Sequence, residues 1–225
     1  LLALITGATT PILFSALARL QNKNEQFNQM FYKMQRLISI LVFPLGIGVY
    51  LYKDLATQIL LGNQWKEASG VIGVWALTSA IMIVLGHYCS EVYGAKGRPK
   101  LSFLAQMLHL VVLVPVCIIS ARYGFWSLVY ARSWIRMEAV IVHFILMKIV
   151  IGFPILKMLY NVFPTFIAAI VMGIGGYFLR EINDSLIWSF ISIIICSLIY
   201  FGVLSTFPNV RKEIVSIVKR ANIQS

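Results

Sequence analysis

Charge is what this sequence has least of. Only 12% of its 225 residues are Asp, Glu, Lys or Arg, about half the ~25% of an ordinary soluble domain, which excludes a water-facing surface over most of the chain. Acids are scarcer than bases, eight against nineteen. Cysteine is also sparse: Cys89, Cys117 and Cys196 sit in separate apolar segments without paired spacing, so neither a disulfide framework nor a zinc site is indicated. No metal-ligand spacing, nucleophile elbow or phosphate-binding glycine loop occurs. Those absences predict no enzyme active site, no metal and no cofactor. A basic lead is missing too. Leu1-Leu2-Ala3-Leu4-Ile5 is already apolar, unlike a signal peptide, and reads as a chain that starts partway through a span.

What is present is hydrocarbon. Sixty per cent of residues are apolar and mean hydropathy is +0.85, so the solvent for this chain is lipid. At about 20 residues per span plus a short connection, the length accommodates some six crossings. Apolar runs between charges and turn residues predict a partial span near 1–18 and full spans near 34–53, 69–92, 100–121, 124–147, 158–179 and 185–207. The fold class is therefore an all-α polytopic bundle: a transmembrane unit over 1–207 followed by a basic tail over 208–225.

The net charge of +11 raises the question of nucleic acid. A nucleic-acid module carries its bases on a soluble face, whereas here they lie between apolar runs, so no nucleic-acid partner is expected. Alternate junctions must face opposite sides of a bilayer. One side then collects Arg19, Lys23, Lys33, Arg36, Lys96, Arg98, Lys100, Lys148, Lys157, Arg211, Lys212, Lys219 and Arg220; the other holds only Lys53, Lys66, Arg122 and Arg180. By the positive-inside rule the first side is cytoplasmic, which puts the C-terminus inside a plasma (inner) membrane. The parity depends on the very short turn Arg122-Tyr123-Gly124. If 100–147 were one bent element, every later junction would change sides.

Ionisable side chains inside a span are costly in lipid and usually face a bundle interior or a water-filled cavity. Arg132 and Arg136 are four apart, and His143 follows seven later, so a continuous helix puts all three on one face. At ~1.5 Å per residue, Arg136 lies about 18 Å from Gly124, near mid-depth. Guanidinium forks match phosphate geometry, which makes a pyrophosphate headgroup the natural anion for this pair. The alternative is that Arg132 snorkels outward or pairs with an acid on a missing helix, since Glu138 points away from Arg136, two residues on. His87 and Glu91 share a face of one neighbouring span; Ser102, Gln106 and His109 share a face of the next. Arg132, Arg136, His143, Gln106 and His109 are thus candidate cavity residues, and Glu91 with His87 is a candidate for proton or ion coupling. Glu91 could also pair with Lys96 or Arg98.

Other features read more plainly. Trp65 and Trp126 suit an interfacial aromatic belt. Pro44 with Gly46 and Gly48, and Pro115, fall within spans, where a missing donor permits a kink or hinge. Asn183-Asp184-Ser185 matches a glycosylation acceptor pattern that occurs often by chance.

Four stretches in order resemble a known family. Thr10-Pro11-Ile12-Leu13-Phe14-Ser15-Ala16-Leu17-Ala18-Arg19-Leu20-Gln21 resembles a "P-x-L-F-x-A-L-S-R-L-Q" segment of Wzx-type polysaccharide transporters, with Ala18 in place of the usual serine. Phe43-Pro44-Leu45-Gly46-Ile47-Gly48, Leu60-Leu61-Gly62-Asn63-Gln64-Trp65-Lys66-Glu67-Ala68 and Ala95-Lys96-Gly97-Arg98-Pro99 resemble that family's "P-L-G-I-G", "L-L-G-x-x-W-x-x-A" and "A-x-G-R-P" stretches. Beyond Gly124 the likeness is one of hydropathy and order. The resemblance implies twelve to fourteen helices in two lobes around a cationic cavity, this chain forming the C-terminal lobe and an N-terminal half of the same protein supplying the other. It further implies flipping of undecaprenyl-pyrophosphate-linked oligosaccharides by alternating access, for O-antigen or lipopolysaccharide assembly. The partners are then the lipid-linked oligosaccharide and membrane lipids.

Three other functions are weighed against this. A multidrug or metabolite antiporter of the same superfamily needs a membrane carboxylate, for which only Glu91 and Glu138 stand as candidates. A membrane glycosyltransferase or polymerase needs a long acidic external loop, which no junction provides. A passive scaffold has no reason to place arginines at mid-depth.

Overall fold

Backbone groups in hydrocarbon have no water to bond, so each apolar run must satisfy its own N–H and C=O groups, which a helix does. The computed structural model describes residues 2–183, 185–208, 210 and 211, and those residues contain helices and turns but no strand. The chain runs through α1 (Leu2–Arg19), α2 (Asn24–Leu51), a short α3 (Lys53–Leu61), a 3-10 segment (Asn63–Ala68) and α4 (Ser69–Met82). A π turn (Ile83–His87) joins α4 to α5 (Cys89–Ala95). Then come α6 (Lys100–Ala121), α7 (Phe125–Trp134), α8 (Arg136–Leu146), a second π turn (Met147–Ile151), α9 (Ile155–Ile182) and α10 (Leu186–Ser205). Six of these runs are long and apolar enough to cross a membrane. The chain is a multi-pass membrane protein. A seventh path, from Phe125 to Ile151, is broken at Ile135 and ends at Gly152, whose φ of 73° is the left-handed conformation that closes a helix.

Pairs of contacting residues fix the direction of each crossing. On α2 and α9, Tyr32 donates to the Pro154 carbonyl (3.3 Å), Arg36 to Asn161 (Nε to Oδ1, 2.9 Å), and Arg180 near the far end of α9 to the Leu51 carbonyl (2.7 Å). Both numbers rise together, so α2 and α9 are parallel. The runs α4–α5, α6 and α7–α8 lie between them, and three crossings are needed to restore direction. Arg122-Tyr123-Gly124 is therefore a true hairpin turn. Elsewhere, α1 runs parallel to α4–α5 (Thr9 to Tyr88, Lys96 to the Gln21 carbonyl), and α10 antiparallel to α2 (Tyr52 to Ser192, Tyr200 to the Ile40 carbonyl). The basic junctions fall at one end of the bundle; Lys53, Lys66, Arg122 and Arg180 fall at the other. Lys212, Lys219 and Arg220 of the basic tail lie outside the described residues, as does Asp184 of the acceptor pattern.

Several boundaries differ from the sequence reading. The span expected at 34–53 begins ten residues earlier, because the polar stretch from Asn24 continues the helix with Phe27 and Phe31 as its buried face. The junction from Lys53 to Glu67 is helical through α3. Pro11, Pro44, Pro115 and Pro164 all sit inside unbroken helices, and the interruptions come instead at the two π turns and at Ile135, none of which contains a proline.

α2 is the central helix, packed on α4 along one side and on α9 along another, with α10 against α9. Small residues allow that closeness, as between membrane helices generally. A side chain at Gly46 would collide with Ala80 of α4, and one at Gly176 would lie 2.7 Å from Leu51 and 2.9 Å from Cys196. The seam between α2 and α9 is polar and internally bonded: Asn161 accepts from Arg36 and donates to the Tyr32 carbonyl (2.7 Å), and the Ser39 and Thr165 hydroxyls meet at 2.8 Å.

Candidate functional site

The two intramembrane arginines meet a residue that the sequence reading passed over. Trp75 of α4 lies under both: the Arg136 guanidinium is 3.6 Å from its ring centroid and that of Arg132 is 5.3 Å away. A cation over an indole face is a favourable arrangement that strengthens when desolvated. Arg136 also donates to the Ser79 hydroxyl. Ser79 is the midpoint of the Asn63–Ala95 run, so Arg136 lies level with the middle of that run. No carboxylate pairs with either arginine among the described residues, so the positive charge is held by π electrons and a hydroxyl and is not neutralised.

The remaining candidates are arranged as follows. Glu138 does turn away from Arg136, and its carboxylate meets Nδ1 of His109 on α6 at 2.8 Å. The break at Ile135 rotates α8 relative to α7, and His143 is buried against Tyr93, whose ring stacks on it and whose hydroxyl bonds its Nδ1 and its carbonyl at 3.2 Å. Thus Arg132 and Arg136 share a partner, while His143, expected on their face, has another. His87 is 3.3 Å from the Thr10 hydroxyl on α1. Gln106 stays exposed on α6 with no hydrogen bond among the described residues. Glu91 likewise has no hydrogen-bond or ion-pair partner there. The bases considered for it are engaged elsewhere: Lys96 with the Gln21 carbonyl and Asn24, and Arg98 with the Val150 carbonyl (2.8 Å). Burial of Lys96 pushes its ammonium below the usual range.

A second polar region occupies the opposite end of the bundle, on the far side of α2. Arg180 of α9 reaches Asp54 of α3 at 2.7 Å, and Ser69 donates to the other oxygen of that carboxylate at 2.7 Å. Partial burial pushes the Asp54 carboxyl up, but the Ser69 hydrogen bond and the Arg180 charge outweigh it and hold the group below the usual carboxylate range.

Similarity to known proteins accords with this layout. Residues 1–70 match the family described as "Polysaccharide biosynthesis protein". The lipopolysaccharide biosynthesis protein WzxC of Escherichia coli K12 is 23% identical over 113 residues, covering 50% of this chain and 23% of that protein. The succinoglycan biosynthesis transport protein ExoT of Rhizobium meliloti 1021 is 23% identical over 187 residues, 79% of this chain and 36% of that one. In three dimensions, the lipid II flippase MurJ in an inward closed conformation superposes with a TM-score of 0.71 at 18% identity, over 88% of this chain and 42% of MurJ.

The chain is similar to proteins of polysaccharide biosynthesis and transport. It spans less than half the length of each of these proteins. The MurJ likeness shows the fold. Trp75 was missed because membrane tryptophans ordinarily read as interfacial anchors. The available signal was its depth: it lies well inside a span, whereas Trp65 and Trp126 stand at ends.

Proposed function

We propose that this chain is part of an exporter that moves an undecaprenyl-pyrophosphate-linked oligosaccharide across the plasma membrane by alternating access, its helices belonging to the C-terminal lobe. The observation that carries this reading is the pair Arg132 and Arg136 on Trp75, with no carboxylate to neutralise it among the described residues. An uncompensated guanidinium pair in a low-dielectric setting is costly unless an anion or water joins it, and pyrophosphate offers the oxygens that two forks can grip. Trp75 and Ser79 hold the forks in place between turnovers. His109 and Gln106 supply the polar wall along which a hydrated sugar passes, His143 backs it through Tyr93, and Glu91 with His87 supplies the group that couples transport to an ion or proton. The basic end of the bundle faces the cytoplasm.

In the full-length protein, Arg136→Ala is expected to abolish lipid-linked sugar export while membrane insertion is retained, and Arg136→Lys to restore little, because an ammonium lacks the fork. Unchanged export in Arg136→Ala overturns the role given to the arginines. A cation-coupled antiporter is the second reading, favoured by the unpartnered Glu91 carboxylate. Transport lost in Glu91→Gln but kept in Arg136→Ala selects it.

A further inference from the structure

Above the Asp54–Arg180 pair lies a cavity of about 360 Å³ between α3, the 3-10 segment and the α9–α10 turn, within the size range of small-molecule pockets. Its polar groups include two side-chain amides, Gln58 and Asn63, and the Lys66 ammonium, none with a hydrogen bond among the described residues. Trp188 forms an aromatic wall, its indole N–H already committed to the Leu179 carbonyl at 2.7 Å, so the ring contributes a face and not a donor. Among the described residues, Lys66 and Arg180 against Asp54 leave the charged lining one unit positive. Directly below, towards the middle of the bundle, an apolar groove of about 420 Å³ runs between α2 and α10, and the two spaces share Tyr52 and Leu55. The sequence of environments, polar and then apolar along the membrane normal, is that of an amphiphile. α2 separates this region from Arg132 and Arg136.

We infer that this cavity is a second headgroup station, which holds the saccharide portion of the lipid-linked substrate at the extracytoplasmic face. Amides and an ion pair suit the alternating donors and acceptors of sugar hydroxyls, an indole face suits the apolar side of a pyranose, and the surplus positive charge suits uronate or other acidic substituents. The cavity volume admits one or two sugar rings. The assignment rests on the proposed export of lipid-linked saccharide and on the outward orientation of this end.

The test places a photoreactive amino acid at Gln58 in the full-length protein, in proteoliposomes, and adds farnesyl-pyrophosphate-linked disaccharide from the outer side. The glycolipid is expected to label position 58 and to be competed by unlabelled glycolipid, but not by phosphatidylglycerol. The exposed pair Asn63→Ala with Lys66→Ala should lower labelling roughly tenfold, as expected for the loss of two hydrogen-bonding groups, and Lys66→Glu should lower it further for a uronate-bearing disaccharide. Absence of labelling, equal competition by phosphatidylglycerol, or full labelling in the double variant overturns the inference. If those results accompany export that still depends on Arg136, only the second station fails. If wild-type protein exports no lipid-linked saccharide at all, the proposed function itself fails.

Discussion

The two sides of α2 use polar residues in opposite ways. Towards α9, Arg36, Asn161, Tyr32, Ser39 and Thr165 bond one another across the seam, and small residues such as Gly176 draw the backbones together. Beyond α4, Arg132 and Arg136 lie on a tryptophan face with no acid opposite among the described residues. The first arrangement consumes its hydrogen-bonding capacity internally and so reads as scaffold. The second leaves charge and donors over among the described residues. Arginine inside a membrane is thus no indicator of function by itself; what distinguishes Arg136 from Arg36 is what each side chain is bonded to.

That contrast can be broken by experiment. The largest stability effect is expected for Asn161→Leu, which removes the acceptor used by Arg36 and the donor to the Tyr32 carbonyl, at a cost of about 2 to 4 kcal/mol. Thermal unfolding of the purified protein should show it, with export falling only in step with the folded amount. Arg136→Ala should do the reverse, losing export with little change in unfolding temperature. If both variants unfold alike, the division into scaffold and site is wrong. Gly46→Val comes next: its side chain collides with Ala80, and overpacking of this kind costs about 1 to 3 kcal/mol, read by the same unfolding measurement. The smallest effect concerns Asp54. Its folded-state pKa is depressed, so its pairing with Arg180 and Ser69 contributes fully above the ordinary aspartate value of about 3.9 and is lost as pH falls through the lower folded value. Between neutral pH and about 5 the unfolding temperature of Asp54→Asn should lie below that of wild type by a constant amount, and the difference between the two should shrink below about pH 4. A difference that grows there contradicts the assignment.

Much of the architecture could be read in advance, and the reasons are specific. Each apolar run between Leu2 and Ser205 became a helix because lipid allows nothing else to an open segment, and the partition of basic residues between ends follows from counting crossings. The short turn at Arg122-Tyr123-Gly124, on which that count hung, is settled by the parallel pairing of α2 with α9. The breaks in the helices were not legible. Prolines mark where a donor is missing, yet α2 and α6 carry theirs without interruption, while the π turns and the break at Ile135 lie in stretches without proline. Hydrogen-bonding by neighbouring helices, not local propensity, decides where a membrane helix yields.

What the sequence by itself determined is therefore the medium, the all-helical fold and the alternating direction of successive crossings, because each depends only on residue chemistry counted along the chain. Which polar groups are spent and which remain was decided by tertiary structure alone. Helical spacing puts Arg132, Arg136 and His143 on a common face, but it does not say that Trp75 lies under the first two, that Tyr93 claims the third, or that Glu138 belongs to His109. Those partners come from other helices, far away in the chain, and only their packing brings them within bonding distance.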